Sequence, residues 1–325
     1  MRDRTFAGRA AEAGMIGLVR TLFAIGRAIG PEPSSEIGGW WARRIGRLLP
    51  QHRIALANAR AAFPDKSADE IAVIVGGAWE NLGRTGTEYA HLNAIMGDAG
   101  ADGRVELVGL EHLAALRDDG KPGLIFAAHL ANWELPAICA VRHGLDATAI
   151  FRPPNSPAAA RVVHEVRSQT MGALEAARRG AGFAMHRTLE RGGHIGILID
   201  QHFTRGVVVD FFGRPALANP ILAKLARRFD CPVHGTRVIR RPDVRFTVEL
   251  TPPLDLPRDA EGRIDVQGAT QAMTRVVEGW VREHPEQWLW QHRRWRAAGA
   301  KAAGEALPSL AEAASRQSQG NVTSA

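Results

Sequence analysis

A histidine followed five positions later by a carboxylate is the most chemically suggestive pattern in this sequence. His129 follows the apolar run 123–128, and Glu134 comes after a short polar stretch. Of the twelve histidines, only His129 has an acidic residue at this distance. A carboxylate that holds an imidazole is a common arrangement for a general base. The alternative interpretation is a histidine satisfied inside the core beside a chance acid.

The spacing constrains the backbone between the two residues. In one continuous α-helix, five residues turn through about 500°, which leaves the side chains about 140° apart around the axis. His129 and Glu134 could not meet in that geometry. We therefore predict that His129 ends a strand, that Asn132 caps the next helix, and that Glu134 in its first turn holds one ring nitrogen. The other nitrogen would then be free to accept a proton.

Polar groups also follow two other apolar runs. Arg152 comes directly after residues 147–151 and precedes two prolines, which makes it a fixed cation suited to a phosphate or a carboxylate. Asp200 and Gln201 follow the run 195–199 and are predicted to line the same pocket rim. The plain alternatives are an incidental surface arginine and ordinary turn-forming residues.

Two aromatic segments near arginines are further candidates. The Phe-Phe-Gly-Arg-Pro turn at 211–215 could wall an apolar pocket, with Arg214 serving an anion, or could be a hairpin with core phenylalanines. Segment 285–295 contains three tryptophans together with Arg293 and Arg294. That composition fits stacking on nucleic acid bases or contact with lipid head groups. The alternative is a strand or turn that seals the core.

The elements that would position these groups follow from the hydrophobic pattern between residues 104 and 296. The predicted strands are 105–108, 124–128, 147–151, 195–199, 207–211, 233–239 and 245–250, and the predicted helices are 110–117, 132–142, 157–178, 219–229 and 266–283. This alternation predicts an α/β domain with a mixed, mostly parallel sheet covered by helices on both faces. In such sheets, ligands bind where strands end and helices begin.

The flanking regions differ from this domain. Residues 1–103 are predicted to form a helical, membrane-associating leader, and residues 297–325, which lack aromatics, a disordered tail. Within the leader, a capping box at Ser67 and Glu70 opens a helix that runs toward Glu88. Segment 14–30 is apolar but is interrupted by two arginines, which is more typical of a helix lying in the membrane interface than of one crossing it. An ordinary packing helix is the alternative.

Composition and the absence of several motifs limit which partners and reaction types are expected for this protein. The net charge of +7 favours partners that carry phosphate or other negative charge, and two cysteines argue against a disulfide scaffold. No G-x-S-x-G, P-loop or dinucleotide fingerprint occurs, and we expect neither a metal site nor a cofactor. A histidine base without a protein nucleophile predicts that a substrate hydroxyl is the nucleophile, as in acyl transfer to an alcohol.

Taken together, these blocks resemble the lipid A biosynthesis acyltransferases, the late branch of the lysophospholipid acyltransferase superfamily. The resemblance covers roughly residues 35–296. Its blocks are His-Leu-Ala-Asn-Trp-Glu at 129–134, Phe-Arg-Pro at 151–153, Asp-Gln at 200–201, Phe-Phe-Gly-Arg-Pro at 211–215 and the tryptophan-rich segment at 288–295. Ala131 departs from the pattern, since the family usually has glycine there.

The resemblance implies an enzyme at the cytoplasmic face of the bacterial inner membrane. It would be held peripherally or by one N-terminal anchor, and it would move a fatty acyl chain from acyl carrier protein to a hydroxyl of a lipid A precursor. By the resemblance, His129 is the base, Glu134 orients it and Arg152 binds phosphate. We also count Asn132, Asp200, Gln201, Arg214, Arg293 and Arg294 as candidate substrate-binding residues. The alternatives are another lipid acceptor, such as a lysophospholipid, a glycolipid or an ornithine-type lipid, and a nucleic-acid-binding protein.

Overall fold

The computed structural model describes residues 6–97, 103–153, 156–178 and 180–295, and nine strands lie within these ranges. They are β1 (Val105–Val108), β2 (Gly123–Ala127), β3 (Ala147–Phe151), β4 (Ala173–Ala176), β5 (His194–Leu198), β6 (Val207–Phe211), β7 (Arg214–Ala218), β8 (Val233–Arg241) and β9 (Arg245–Leu250).

Seven of the strands form one sheet in the order β1-β9-β8-β2-β5-β3-β4. The five from β8 to β4 are parallel, whereas β9 runs antiparallel to β8, and β1 is parallel to β9. This confirms the predicted mixed, mostly parallel sheet. β6 and β7 form a separate hairpin, which turns at Phe212 and Gly213 with φ angles of 59° and 67°.

The described residues also contain helices before and around the sheet. The leader has α1 (Phe6–Ile29), α2 (Pro31–Ile45), α3 (Pro50–Ala62), α4 (Ala68–Glu88) and α5 (Leu92–Met96). The sheet is accompanied by α6 (Leu110–Asp118), α7 (Leu135–Arg142), α8 (Pro157–Thr170), α9 (Ala181–Glu190), α10 (Ile221–Phe229) and α11 (Val266–Glu283).

Helices cover both faces of the sheet. Successive residues of β2 point to opposite sides and pack against different helices. Leu124 and Phe126 belong to the core cluster that contains α10 and α11, whereas Ile125 packs with Leu116 of α6 and Ala140 of α7. The buried strands therefore read as continuous apolar runs, as expected for parallel strands enclosed by helices.

One prediction for this region is wrong. The predicted helix 157–178 ends at Thr170, and residues 173–176 form the edge strand β4. Gly172, with φ 67°, gives the chain the left-handed conformation that ends the helix. The short elements β7 and α9 were not among the predicted strands and helices.

The leader packs against the α/β region. The predicted capping box is confirmed: Ser67 Oγ accepts from Glu70 N over 3.2 Å, and Glu70 Oε2 accepts from Ser67 N over 2.8 Å. Trp79 of α4 lies in the same core cluster as Trp288 and Trp290 near the C-terminal end of the described chain. None of the helices described has the length and apolarity to cross a membrane. The predicted tail 297–325 lies outside the described residues.

Candidate active site

The register between β2 and β5 brings His129 and Asp200 together. The two strands are parallel neighbours, and Ala127 is paired with Leu198. Each chain continues for two residues beyond that pair to reach the candidate side chains. Both side chains therefore lie at the carboxyl edge of the sheet, where a ligand site is expected.

The two side chains form a close pair. His129 Nδ1 lies 2.7 Å from Asp200 Oδ1, and the backbone N–H of His129 donates to Oδ2 of the same carboxylate over 2.9 Å. An ionised carboxylate can only accept, so a neutral His129 ring carries its proton on Nδ1 and keeps a lone pair on Nε2. The His129 side chain is 16% exposed, whereas that of Asp200 is fully enclosed. The pair thus offers one partly accessible imidazole nitrogen as a proton acceptor.

Asp200 is held in its charged form. Burial by itself would raise the pKa of this carboxyl, but the charge and hydrogen bonds of His129 outweigh burial and hold the pKa of Asp200 well below its usual range. Trp288 Nε1 donates to Asp200 Oδ2 over 2.8 Å. A buried carboxylate with these donors orients the imidazole and favours its protonated form during proton transfer.

The structure corrects the prediction that Glu134 holds the histidine ring. Arg167 Nε donates to Glu134 Oε2 over 2.8 Å, Arg167 Nη2 donates to Oε1 over 2.5 Å, and the hydroxyl of Tyr89 also donates to Oε1. Asp200 already occupies His129 Nδ1 because of the strand register. After His129 the backbone turns through Ala131 at φ 49°, and Glu134 reaches Arg167 of α8 instead.

Asn132 also differs from its prediction. Glu134, not Asn132, is the residue that precedes the first turn of α7. Asn132 closes the turn before it, since Asn132 Oδ1 accepts from Glu134 N over 3.3 Å. The Asn132 side chain is buried, and its amide donates to Glu88 Oε2 over 2.9 Å. It is therefore committed to contacts within the protein.

Arg167 is a site residue that the sequence analysis missed. Its side chain is 12% exposed, and its guanidinium lies 5.5 Å from the centre of the Phe151 ring. Burial works against the charge, but the hydrogen bonds and charge of Glu134 raise the pKa of Arg167 above its usual value. Burial raises the pKa of Tyr89 well above its usual value, so that its hydroxyl remains a donor. Half of the residues of α8 are polar, and nothing in the local sequence distinguishes a buried arginine from a solvated one there.

An apolar cavity of about 130 Å³ lies under α7 and is bordered by Glu134 and Arg167. Small side chains of the sheet and of α7 form much of its wall, and leucines line it as well; they include Ala127, Ala137, Ala140, Ala149, Leu113, Leu145 and Leu250. Gly196 of β5 lines the cavity, and a Cβ atom added there would meet no atom within 4 Å. The cavity suits a slender apolar group.

Two predicted site residues lie at the edge where His129 lies. The Gln201 side-chain nitrogen is 3.4 Å from His129 Nε2, the ring nitrogen that Asp200 leaves free. Arg152 is exposed and directly follows β3, which is the parallel neighbour of β5. The carboxyl ends of β2, β5 and β3 thus contribute a base, an amide and a cation to one edge.

The remaining arginines lie in different surroundings. Arg294 is buried, and its Nη1 donates to the carbonyl of Leu217 over 2.9 Å. Burial lowers the pKa of Arg294 to about 10. Arg293 and Arg214 are exposed, and the Arg214 guanidinium lies 5.7 Å from the centre of the Trp295 ring. Arg294 therefore supports the hairpin that contains Leu217, whereas the other two arginines remain accessible.

The tryptophan-rich segment seals the core, as the structural alternative predicts. Trp288 and Trp290 have no exposed surface, and their rings meet edge to face with centroids 4.5 Å apart. Trp290 Nε1 donates to the carbonyl of Pro285 over 2.7 Å. Buried rings cannot stack on bases, so this segment gives no support to the nucleic-acid interpretation.

Comparison with known proteins identifies the family of this chain. The chain is 26% identical over 261 residues to lipid A biosynthesis acyltransferase 2 of Shigella flexneri, covering 79% of this chain and 80% of that protein. It is also 26% identical over 261 residues to the lipid A biosynthesis myristoyltransferase of Escherichia coli strain K12, covering 78% and 76%. The sequence model of the family described as bacterial lipid A biosynthesis acyltransferase matches residues 10–297. The chain therefore belongs to this acyltransferase family.

Proposed function

We propose that this protein transfers a fatty acyl chain from acyl carrier protein to a hydroxyl of a lipid A precursor, with His129 as general base. The observation that carries the proposal is an imidazole that Asp200 fixes through Nδ1 and whose ring lies 5.2 Å from the ring of Trp133, a residue that lines an apolar cavity. The cavity supports an acyl donor, and Nε2, which Asp200 does not occupy, supports an alcohol acceptor. The names of the relatives support lipid A as the acceptor class.

In the proposed reaction, Nε2 of His129 takes the proton of the acceptor hydroxyl as its oxygen attacks the thioester carbonyl. The new C–O bond forms, the C–S bond breaks, and the carrier's thiolate takes the proton back from His129. Asp200 stabilises the imidazolium between these steps. Gln201, next to Nε2, is proposed to contact the acceptor hydroxyl, and the exposed Arg152 is proposed to bind a phosphate of the precursor.

Direct transfer, without an acyl-enzyme, fits the groups around the base. The hydrogen-bond partners of the His129 ring within the described chain are a carboxylate and an amide, and neither is a nucleophile in this chemistry. Cys139 lines the cavity, but burial raises the pKa of its thiol to about 12. A thiol that stays protonated is a poor nucleophile. No cofactor is needed for this reaction.

The surface of α1 supports docking on a membrane. Met15, Leu18, Leu22 and Ile25 are each more than half exposed, and steps of three and four residues place them on one side of the helix. Arg20, which interrupts this apolar segment, pairs with Glu165 of α8 over 2.9 Å. A helix with its apolar stripe facing outward is suited to lie in a lipid interface. We propose peripheral attachment to the cytoplasmic face of the inner membrane.

The neighbouring helix α2 adds groups suited to the head-group layer. Trp40 and Trp41 are exposed, and the Arg44 guanidinium lies 3.7 Å from the centre of the Trp40 ring.

Flotation with vesicles that contain anionic phospholipid tests whether α1 docks on a membrane. The variant Leu18→Gln/Leu22→Gln is expected to lose most of its flotation, whereas Ala24→Gln, off the apolar stripe, is expected to keep it. Equal flotation of both variants would remove α1 as the docking surface.

The central experiment supplies purified protein with acyl carrier protein thioesters of different lengths and a lipid A precursor, and reads the products by mass. Transfer is expected with the wild type, and His129→Ala is expected to lose about 100- to 10,000-fold in turnover while remaining folded. His186→Ala is the control, because His186 pairs with Glu190 on α9. Near-normal transfer by His129→Ala would reject the proposed base. Parallel reactions with a lysophospholipid, a glycolipid and an ornithine-type lipid test the alternative acceptors.

The cavity has its own test at Gly196. The variant Gly196→Val adds side-chain atoms to the cavity without an initial clash, so we expect long acyl donors to lose about tenfold more activity than short ones. Ile195→Val is the matched control, since Ile195 is the neighbouring residue of β5 and does not line the cavity. An equal loss for donors of every length would mean that the acyl chain binds elsewhere.

A further inference from the structure

A polar stripe on α4 faces the turn that follows His129. Asn81, Thr85 and Glu88 are spaced by four and three residues, which places them on one side of the helix. Their exposed fractions are 5%, 1% and 0%. Buried polar side chains are costly unless they are hydrogen-bonded, so their partners indicate what the stripe does.

Three hydrogen bonds of the stripe are made with atoms of the turn itself. The carbonyl of Ala131 accepts from Asn81 Nδ2 over 3.2 Å and from Thr85 Oγ1 over 3.1 Å. Glu88 Oε2 accepts from Asn132 Nδ2 over 2.9 Å. The stripe therefore holds a backbone carbonyl and the next side chain of the turn between β2 and α7.

Arg240 of β8 connects the three members of the stripe. Arg240 Nε donates to Asn81 Oδ1 over 2.8 Å, its Nη2 donates to Thr85 Oγ1 over 3.1 Å, and its guanidinium forms an ion pair with Glu88. The guanidinium also lies 5.0 Å from the centre of the Phe246 ring. One rigid, planar cation thus fixes the three side chains relative to the sheet.

The residue held by this network has a strained backbone. Ala131 has φ 49°, in the left-handed region that a residue with a Cβ atom rarely adopts. Such a conformation persists where the surrounding structure enforces it. The backbone N–H of Ala131 donates to the carbonyl of Gln287 over 2.9 Å, so both polar groups of its backbone are held from outside the turn.

We propose that the α4 stripe and Arg240 are positioning residues for the reaction. They hold Ala131 in the left-handed conformation and thereby set the position of His129 relative to the cavity and the acceptor hydroxyl. Thr85 and Arg240 hydrogen-bond the turn or the stripe and not the His129 ring, so they act through the backbone. A helix of the leader thereby belongs to the active site. The kinetic part of this inference rests on the proposed function.

The first test is Thr85→Val, which keeps the shape of the side chain and removes its hydrogen bonds to Ala131 and Arg240. We expect kcat to fall about tenfold with KM within about twofold, because a small misplacement of a catalytic group mainly slows the chemical step. Steady-state kinetics and a melting curve measure the two effects separately. An unchanged kcat, with or without a lower melting temperature, would overturn the proposal.

The second test relieves the strain directly. Glycine adopts a positive φ without a steric penalty, so Ala131→Gly added to Thr85→Val is expected to restore at least a third of the lost kcat. Asp230→Gly is the matched control: Asp230 is exposed, follows α10, and also has a left-handed backbone, with φ 46°. This control also removes the ion pair of Asp230 with Arg258, so we expect kcat to stay unrestored in whichever direction the melting temperature moves. Equal restoration by both glycine variants would show general stabilisation and overturn the proposal.

A structural readout separates this inference from the proposed function. The ring signals of His129 are assigned in a ¹H–¹³C NMR spectrum by their loss in His129→Ala. Thr85→Val is expected to shift these signals, and Ala131→Gly in the same chain to move them back, whether or not His129 is the base. If His129→Ala kept full activity, the proposed function would fail, yet these shifts would still support positioning. Unmoved ring signals in Thr85→Val would reject it.

Discussion

Asp200 and Glu134, two of the buried carboxylates near the turn between β2 and α7, have partners of different kinds. Asp200 accepts from an imidazole, a backbone N–H and an indole, whereas Glu134 accepts from a guanidinium and a phenol. An imidazole gains and loses a proton near neutral pH, but an arginine stays charged. The first carboxylate can therefore serve proton transfer, and the second forms a permanent ion pair at the cavity.

For these two carboxylates, closeness in sequence to His129 differs from closeness in space. Glu134 is five residues from His129, and Asp200 is 71 residues away, yet Asp200 holds the ring. The pairing of β2 with β5 sets this contact, because parallel register places residues at equal distances beyond a pair next to each other. A local motif is thus an incomplete guide to the partner of a catalytic base.

The largest effect is expected from Asp200→Asn, which tests whether this carboxylate serves proton transfer. The amide keeps the size of the side chain but cannot stabilise an imidazolium, and it can donate to the ring in place of accepting. We expect kcat to fall about 100- to 1,000-fold with a smaller change in KM, measured in the acyl-transfer assay. Activity within a few fold of the wild type would mean that Asp200 only supports the structure.

The second prediction concerns the ion pair. Glu134→Gln leaves the Arg167 cation in a mostly buried site without its counter-charge, and we expect unfolding in urea to be easier by about 3 kcal/mol. We expect a loss in kcat of about tenfold, less than for Asp200→Asn. The matched variant Glu134→Gln/Arg167→Met removes both charges and is expected to be less destabilised than the sum of the single changes.

One result for Glu134 would contradict its assignment as a structural ion-pair partner. If Glu134→Gln lowered kcat as far as Asp200→Asn while its urea curve stayed unchanged, Glu134 would act on the chemistry as the family resemblance implies. The ion pair would then serve to place that carboxylate, and the division between the two carboxylates would fail.

The smallest expected effect is the pH dependence contributed by His292. Burial lowers the pKa of this ring to about 4, with Asp200 opposing the shift and His129 and Arg294 adding to it. The unfolded chain binds the proton near pH 6.5 and the folded ring does not, so stability is lost as the pH falls from about 6.5 toward 4. We expect a loss of about 1–2 kcal/mol between pH 7.5 and 5. Urea unfolding at pH 7.5 and pH 5 measures this loss, and His292→Gln is expected to reduce the difference in unfolding free energy between the two pH values. An unchanged difference would mean that His292 is not its source.

Local patterns predicted much of the fold. The apolar runs that became β1, β3, β6 and β9 have the predicted bounds, and α11 covers the predicted residues 266–283. The capping box at Ser67 was also predicted, because a cap depends on residues only three positions apart. The residues of β4 were predicted as the end of a helix. A four-residue edge strand is too short to show a clear alternating pattern beside the helical pattern that precedes it.

Local sequence was enough to predict the general kind of site: His129 after a buried strand, with polar residues after two neighbouring strands. Strand hydrophobicity and turn chemistry are local, so they can be read from adjacent residues. Three contacts required the folded chain: Asp200 holds the ring, Arg167 forms an ion pair with Glu134, and a helix of the leader supports Ala131. Those contacts depend on strand register and helix packing between distant segments, which no spacing along the chain encodes.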